Sequence, residues 1–340
     1  LAPLSEAWPG EEDLLALGVE AVARWPGFAA ELSEAAGRPA GLRTDGTLMV
    51  ATGSGDRAEL ETIAAHLDQM GRRVERLSGR ELRRREPGLG PDVRGGLSIP
   101  DDLSVDNRML LAALWEAADR SGVRFDARSV AAVLDDGAAV IGVRCVDGAE
   151  LFASTVLVAA GAHSASLHPV LAGLVRPVKG EILRLRQRPG TLPPPTRTIR
   201  GLVDGRPVYL VPRDNGGLVV GATQVETGFD TEVTVGGVRD LLRDAERVLP
   251  AIGEYALCES AAGLRPASPD NLPLIGTCGP AGLIVATGHH RNGILLTPIT
   301  ADAVRALLRG EPVPDVVVPA SPLRWMSDRH RTERGEAAER

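Results

Sequence analysis

Hydrophobic and polar residues recur along the chain with two periods, and each period predicts a different kind of element. Apolar residues spaced three or four positions apart predict amphipathic helices. Gly37, Gly71 and Gly310 mark where three of these helices end, because glycine readily adopts the left-handed conformation that closes a helix. Asp56 is the expected N-cap of the second helix. Five stretches have the helical period: 11–37, 56–71, 106–122, 235–250 and 292–310.

Alternating residues and short apolar runs predict the strands. Alternating stretches occupy residues 41–52, 123–158 and 176–231. Several dipeptides typical of hairpin turns interrupt them, and these are Asp45-Gly46, Asp136-Gly137, Asp147-Gly148 and Asn215-Gly216. Two further runs, TVLVAAGA (155–162) and GLIVATG (282–288), predict short buried strands, and we expect the first to be buried on both faces.

The order of these elements predicts a mixed α/β fold. Strand–helix units lie in the middle and at the end of the chain, and antiparallel strands lie between them. One domain is therefore expected to be discontinuous, with the other domain inserted into it. The length of 340 residues suits one large domain or two interleaved ones.

Composition removes several classes of partner. The net charge of −7 argues against nucleic acid, which needs a basic face. The arginine-rich run 79–88 is broken by Glu81 and Glu86, so a solvated helix face is its simplest interpretation. No apolar run is long enough to cross a bilayer, and no signal-peptide pattern is visible. Three widely spaced cysteines without metal-ligand spacing suit a reducing compartment, and we expect the cytoplasm.

The segment GHHRNGILLTP (288–298) concentrates polar side chains between a buried strand and a helix. A helix start presents unpaired N–H groups and suits an anion or a developing negative charge. Gly288 and Gly293 allow a ligand to approach the backbone closely. The alternative is a plain strand–loop–helix connection. His289 and His290 have no third ligand nearby, so the sequence does not support a metal site.

A second strand ending and two side chains also fit a ligand site at the 288–298 segment. The run TVLVAAGAHS also passes from a buried strand into a turn, at Gly161, and cofactors bind beyond the carboxyl ends of parallel strands. Two such endings suggest one ligand that crosses both. The planar guanidinium of Arg265 suits a carboxylate, and the Tyr209 hydroxyl could assist it. A capping arginine and a half-buried structural tyrosine are the respective alternatives.

Several motifs together resemble a known family. They are RPVKGEILRL, VYLVPRDNGGLVVGAT, AAGLRPASPDNLPLIG and GHHRNGILLTP, with LAPLSEA and IPDDLSVDNRMLLAAL before them. Their order and spacing are similar to those of the D-amino-acid oxidase family of FAD-dependent amine oxidoreductases, and within it to glycine oxidases of the thiamine-biosynthesis type. The resemblance covers residues 1–310, and the combination of motifs is more specific than any one of them.

The resemblance implies a role for particular residues. Arg265 and Tyr209 would bind the substrate carboxylate, and the backbone carbonyl of Arg291 would accept a hydrogen bond from the substrate amine. No side chain would act as a catalytic base, because the flavin carries the chemistry. The residues implied to contact FAD are His289, His290, Arg291, Asn292, Gly293, Ile294, Leu295, Val130, Ala160 and Gly161.

The resemblance also implies an architecture and a reaction. A Rossmann-like FAD-binding domain would comprise residues 1–40, 96–175 and 257–311, an antiparallel-sheet substrate domain 41–95 and 176–256, and a flexible tail 312–340. The implied reaction is oxidative deamination of glycine or another small amino acid. Oxygen would accept the electrons to give hydrogen peroxide, and the imine or glyoxylate would feed thiazole synthesis. The family also implies a homo-oligomer.

Departures from the family pattern leave alternatives open. The glycine-rich strand–turn–helix with which relatives open is absent before LAPLSEA, so we expect a fragment. His290 stands where the family often has an aromatic residue, and Gln224 could reshape the substrate pocket. A sarcosine oxidase or a D-amino-acid dehydrogenase-like enzyme is the alternative within the superfamily. A truncated, flavin-free and non-catalytic remnant is the alternative of another class.

Overall fold

A computed structural model describes residues 1–72 and 74–326 of the chain. The α-helices within these ranges are α1 (Glu12–Ala36), α2 (Ser54–Gln69), α3 (Gly79–Arg85), α4 (Asn107–Arg120), α5 (Val235–Val248) and α6 (Thr297–Arg309). None of the helices in this part of the chain is both long and apolar enough to cross a membrane. The mixed helix and strand content confirms the α/β class expected from the sequence.

The strands are mostly short and are numbered in chain order. They are β1 (Leu42–Arg43), β2 (Thr47–Ala51), β3 (Glu75–Ser78), β4 (Gly95–Ile99), β5 (Ser104–Val105), β6 (Val130–Asp135), β7 (Val140–Cys145), β8 (Glu150–Phe152), β9 (Val156–Val158), β10 (Arg176–Arg186), β11 (Thr198–Val203), β12 (Arg206–Arg213), β13 (Gly217–Gly221), β14 (Ala256–Ala267), β15 (Leu274–Thr277) and β16 (Leu283–Thr287).

The chain divides into two compact units. Unit 1 comprises Leu1–Ser121 and Lys179–Gly263, and unit 2 comprises Gly122–Val178 and Leu264–Arg340. Two of these boundaries fall within seven residues of the predicted ones at 175/176 and 256/257. The stretches 1–40 and 96–121 cluster with the segment that we assigned to the substrate domain, so their assignment to a cofactor domain stays a prediction.

Unit 1 is built on an eight-stranded sheet with the order β14-β10-β13-β12-β11-β2-β4-β3. Strands β11 and β2 pair in parallel, and the pairs β10/β13, β11/β12, β12/β13, β2/β4 and β3/β4 are antiparallel. Asn215 and Gly216 have φ angles of 57° and 73° and join β12 to β13, as the sequence predicted. The prediction of a hairpin at Asp45-Gly46 was wrong, because β1 pairs with β5 rather than with β2.

The two faces of this sheet bury separate apolar clusters. One face carries Leu48, Val50 and Ile199 and packs against residues of α5, including Ala245. The other face carries Met49 and packs against α2. Because neighbouring residues of a strand point to opposite faces, β2 contributes alternately to both clusters, and all five of its residues are buried.

Helix α2 begins three residues before the position predicted from an Asp56 N-cap. Its N-cap is Gly53, and Asp56 lies three residues later, where its carboxylate accepts a hydrogen bond from the Gly53 N–H at 2.8 Å. The same carboxylate accepts from the Gly205 N–H at 2.8 Å and from the Thr52 hydroxyl at 3.0 Å. Asp56 therefore joins the start of α2 to the turn between β11 and β12, a role that its sequence neighbours did not indicate.

The motif PVKGE has a structural role in unit 1. Lys179 is 2% exposed, and its ammonium group pairs with Asp230 and donates to the Glu232 carbonyl at 2.8 Å. Glu181, also 2% exposed, accepts from the Thr234 N–H at 2.8 Å. The motif thus fixes the loop that precedes α5, since Thr234 is the N-cap of that helix.

Unit 2 contains two three-stranded sheets, β15-β16-β9 and β6-β7-β8. The second is a meander whose turns fall at the predicted Asp-Gly positions. The apolar core of unit 2 includes Val133, Val158, Leu283 and Val285. Residues 312–326 contradict the predicted flexible tail, because they form two 3₁₀ helices, Asp315–Ala320 and Pro322–Trp325, and bury Val317. Residues 327–340 of that predicted tail lie outside the described residues.

Candidate cofactor and substrate site

The two strand endings singled out in the sequence meet in unit 2. Strands β9 and β16 pair in parallel, with Val158 opposite Val285, so their carboxyl ends lie at the same sheet edge. The Thr287 hydroxyl donates to the Gly161 carbonyl at 3.1 Å and accepts from the Ser164 hydroxyl at 2.8 Å. These hydrogen bonds hold the two turns together, as a ligand that crosses both would require.

The expected burial of β9 on both faces was wrong. Strand β9 is the last strand of its sheet, and Leu157 is 41% exposed. Apolar composition alone did not distinguish a central strand from an edge strand, because burial depends on the neighbouring elements.

The loop after β16 differs from the prediction in where its helix begins. Gly288 has a φ of 72°, and a 3₁₀ turn follows at His290–Asn292. The regular helix α6 begins only at Thr297, five residues after the expected start at Asn292. A turn and not an α-helix terminus therefore lies at the histidines, and the polar residues belong to an irregular loop.

A cavity of about 590 Å³ lies against this loop. Its lining is largely apolar and comes from the end of β9, from β16, from the loop and from one side of α6. The lining residues are Leu157, Ala159, Ala286, His289, Gly293, Thr297, Thr300, Ala301, Val304, Arg305, Leu308 and Arg309. Two of the residues predicted to contact a cofactor, His289 and Gly293, are among them.

His289 is neutral in this setting. Burial lowers the pKa of its imidazole to about 4. Its Nε2 atom lies 3.1 Å from the Thr300 hydroxyl of α6. At neutral pH the side chain therefore contributes hydrogen-bonding capacity and a flat ring edge to the cavity, without a positive charge.

The remaining residues of the loop differ in exposure. His290 and Asn292 are each 9% exposed, and His290 has a φ of 48°. Arg291 is exposed and Ile294 is 41% exposed, whereas Leu295 is buried. The loop thus alternates between inward and outward side chains, and its contact with a cofactor stays a prediction.

The other predicted cofactor residues are separated in the structure. Ala160 and Gly161 follow β9 directly, and a Cβ added at Gly161 would meet no heavy atom of the described residues within 4 Å. A ligand can therefore approach this turn closely. Val130 lies instead on β6, paired with Cys145 and 37% exposed, and it does not line the cavity.

Arg265 is carried towards the histidine loop by its strand. Ala267, two residues further along β14, forms an antiparallel bridge with His289. Two residues of strand span roughly 7 Å, and their side chains point to the same face. The backbone of Arg265 therefore lies close to the loop. The sequence indicated this proximity only through the order of its motifs.

Tyr209 lies on β12 of unit 1. Its neighbours include Gly221 on β13 and Arg200 on β11, which the sequence analysis did not identify. An added Cβ at Gly221 would sit 2.3 Å from the Tyr209 hydroxyl oxygen, so the phenol lies across the neighbouring strand at a position that only glycine leaves open. Arg200 is its register partner on β11 and pairs with Glu6. Burial lowers the pKa of the Arg200 guanidinium, but attraction to Glu6 and Asp102 outweighs burial and raises it.

A signal for Arg200 was present in the sequence, since it is the one charged residue of the strand Thr198–Val203. Gln224, the other departure noted from the family, is exposed after β13. The described residues contain no group of three or more His, Cys, Asp or Glu side chains placed to hold a metal ion.

Comparison with known proteins identifies the family. The model of the DAO family, described as FAD dependent oxidoreductase, matches residues 2–307. The chain belongs to this family. FAD is therefore its cofactor, and the residues present fit such a group, because the cavity beside His289 is apolar and the turn at Gly161 leaves room for close approach.

Three relatives indicate which members are similar. Glycine oxidase of Geobacillus kaustophilus is 33% identical over 87% of this chain and 78% of its own length, and its crystal structure covers 94% of this chain with a TM-score of 0.85. Hydrogen cyanide synthase subunit HcnC of Pseudomonas aeruginosa is 31% identical over 92% of this chain and 74% of its own length.

The bifunctional protein ThiO/ThiG of Nostoc sp. is 39% identical over 66% of this chain. The match spans only 33% of that longer relative. The chain is thus an FAD-dependent oxidoreductase of the glycine oxidase and ThiO type, with the family, cofactor and enzyme class predicted from the motifs confirmed.

Proposed function

We propose that this enzyme catalyses oxidative deamination of glycine or another small amino acid. The observation that carries the proposal is the bridge between Ala267 and His289, which joins the strand of Arg265 to the loop beside the cavity. A carboxylate-binding guanidinium close to a flavin-binding loop suits a substrate that must present its Cα to the cofactor. Glycine oxidase from Geobacillus kaustophilus is a solved relative that supports this substrate class.

The chain's own residues would bind and orient the substrate. Arg265 would hold the carboxylate through its planar fork, with the Tyr209 hydroxyl as a second donor. The backbone carbonyl of Arg291 would accept a hydrogen bond from the amine. When bound, FAD supplies the hydride acceptor at N5 for the hydrogen on Cα. No side-chain base is needed, and the low pKa of His289, about 4, makes its imidazole neutral and only weakly basic at neutral pH.

The proposed final electron acceptor is molecular oxygen, which gives hydrogen peroxide. The imine product would hydrolyse to glyoxylate and ammonia or enter thiazole synthesis directly. The relatives include a ThiO whose name refers to thiamine biosynthesis and a hydrogen cyanide synthase subunit HcnC, so their names do not point to a single product. The fate therefore has to be measured.

Replacing Arg265 tests the assignment. For the flavin-loaded enzyme we expect Arg265→Ala to raise the KM for glycine about 100-fold with a smaller loss in kcat, since charge-assisted hydrogen bonds contribute about 1.5–3 kcal/mol each. The matched control is Arg188→Ala, which removes an exposed arginine in unit 1. An unchanged KM for glycine in Arg265→Ala would contradict the proposal.

Three further measurements separate the alternatives. Peroxide release with glycine, sarcosine and D-alanine ranks the substrates, and faster turnover of sarcosine would favour a sarcosine oxidase. Turnover with a dye but not with oxygen would favour a dehydrogenase. A purified protein that stays colourless after incubation with excess FAD would favour the flavin-free remnant.

A further inference from the structure

Unit 1 contains a second cavity, of about 670 Å³, at the outer edge of its eight-stranded sheet. We call it the edge cavity. It lies between α2 and the last two strands, β4 and β3. Its polar lining consists of Ser54, Arg57, Glu61, Arg76, Ser78 and Arg94. None of the residues predicted to bind FAD or the amino acid lines it.

Two glycines of β4 form part of the cavity wall. Gly95 and Gly96 of β4 belong to its lining. An added Cβ at Gly95 would meet the Arg57 Nε at 3.5 Å and the Leu77 carbonyl at 3.3 Å. The side chain of Arg57 therefore extends from α2 towards the backbone of β4 at Gly95, and Arg94 precedes that glycine in the chain.

Acidic side chains around the edge cavity are already engaged. Glu61 lies 2.8 Å from the Arg76 guanidinium, and Asp68 pairs with the same guanidinium at 2.8 Å. Asp56, at the start of α2, accepts hydrogen bonds from Gly53, Gly205 and Thr52. Within residues 1–72 and 74–326, none of these three carboxylates forms an ion pair with Arg57 or Arg94.

The side chains of Arg57 and Arg94 are exposed and have no carboxylate partner among the described residues. Neither side chain forms a hydrogen bond or ion pair with any residue that the structure describes. Two like charges that share a cavity repel each other, and an anion placed between them would remove that repulsion. The lining side chains carry three positive charges and one negative charge, so a ligand of charge −2 would balance the site.

We propose that the edge cavity binds the phosphate monoester of a small organic molecule. A phosphate monoester is close to a dianion at neutral pH and accepts bidentate hydrogen bonds from guanidinium groups. Arg57 and Arg94 would hold the phosphate, and the Ser54 hydroxyl lies on the same lining. The volume lies within the range of small-molecule sites and leaves space for an organic group against Ala58 and Leu97.

Isothermal titration of the FAD-loaded full chain with ribose 5-phosphate tests this site. We expect a dissociation constant below about 1 mM, corresponding to roughly 4 kcal/mol of binding. Ribose without the phosphate should bind at least about tenfold more weakly, because charge-assisted hydrogen bonds contribute most of the affinity. No binding of ribose 5-phosphate at about 10 mM, or tighter binding of succinate, would overturn the proposal.

The double variant Arg57→Gln/Arg94→Gln locates the binding. It should weaken ribose 5-phosphate about 100-fold, at about tenfold for each lost charged partner. The matched control Arg80→Gln removes one exposed arginine of α3 outside the cavity and should change the affinity less than about twofold. Equal affinities in the wild type and the double variant would contradict the assignment. An unchanged flavin absorbance and melting temperature in each variant would show that folding is intact.

Discussion

Strands β2 and β9 have similar apolar sequences and contrasting surroundings. In β2, the run TLMVA lies between β11 and β4, and every residue is buried. In β9, Val156–Val158 lies at the edge of a three-stranded sheet with Leu157 41% exposed. An apolar run therefore predicts a strand but not its position in the sheet, which is set by residues distant in the chain.

The largest expected effect comes from truncating one leucine in each strand. Leu48 is fully buried, so Leu48→Ala should lower the free energy of unfolding by about 2–5 kcal/mol through lost transfer energy and a residual cavity. Leu157→Ala should cost about 0.5 kcal/mol or less, because its side chain already contacts solvent. Urea denaturation measures both, and equal losses would contradict the contrast between the strands.

The next effect concerns the carboxylate beside β2. Burial raises the pKa of Asp56, but hydrogen bonds from the Gly205 and Gly53 N–H groups outweigh burial and lower it. We expect Asp56→Ala to lower the free energy of unfolding by about 1.5–3 kcal/mol at pH 7, because four hydrogen-bond donors lose their partner.

The same substitution predicts a pH dependence. A carboxyl group with a depressed folded pKa stabilises the protein above its unfolded pKa of about 3.8 and loses this contribution as pH falls through the folded pKa. The difference between the wild type and Asp56→Ala should therefore be constant above about pH 5 and shrink below pH 4. Asp56→Asn, which keeps the shape without the charge, is the matched control. A difference that persists undiminished at pH 3 would exclude the charge as its source.

The smallest effect concerns the hydrogen bonds at the end of β9. Thr287→Val removes the hydroxyl that joins Gly161 and Ser164 and should cost about 1 kcal/mol. Because the turn at Gly161 is predicted to contact FAD, FAD affinity measured by flavin fluorescence should fall as well. Thr277→Val, at an exposed position of β15, is the control. Unchanged FAD affinity in Thr287→Val would show that the link does not position the turn.

Local signals predicted much of the fold. Gly37 and Gly310 end α1 and α6 in the left-handed conformation, and Asn215-Gly216 forms a hairpin. These features depend on a few adjacent residues, so the sequence is sufficient to predict them. The same holds for the motifs that identified the family.

Features that depend on distant residues were not predictable. The Asp45-Gly46 turn formed no hairpin, because β2 pairs with β11 and β4 instead of β1. The start of α6 moved to Thr297, since an irregular turn occupies the preceding residues. Arg200 joined Tyr209 only through strand register. At the candidate site, therefore, the residue types were predictable and their pairings were not.

The bridge between Ala267 and His289 makes β14, which carries the predicted substrate residue Arg265, and the loop after β16 mechanically dependent on each other. A ligand that immobilises the loop would also restrain the backbone two residues from Arg265. Occupancy of the cavity beside His289 would then slow amide hydrogen exchange along the end of β14 and order the backbone near Arg265.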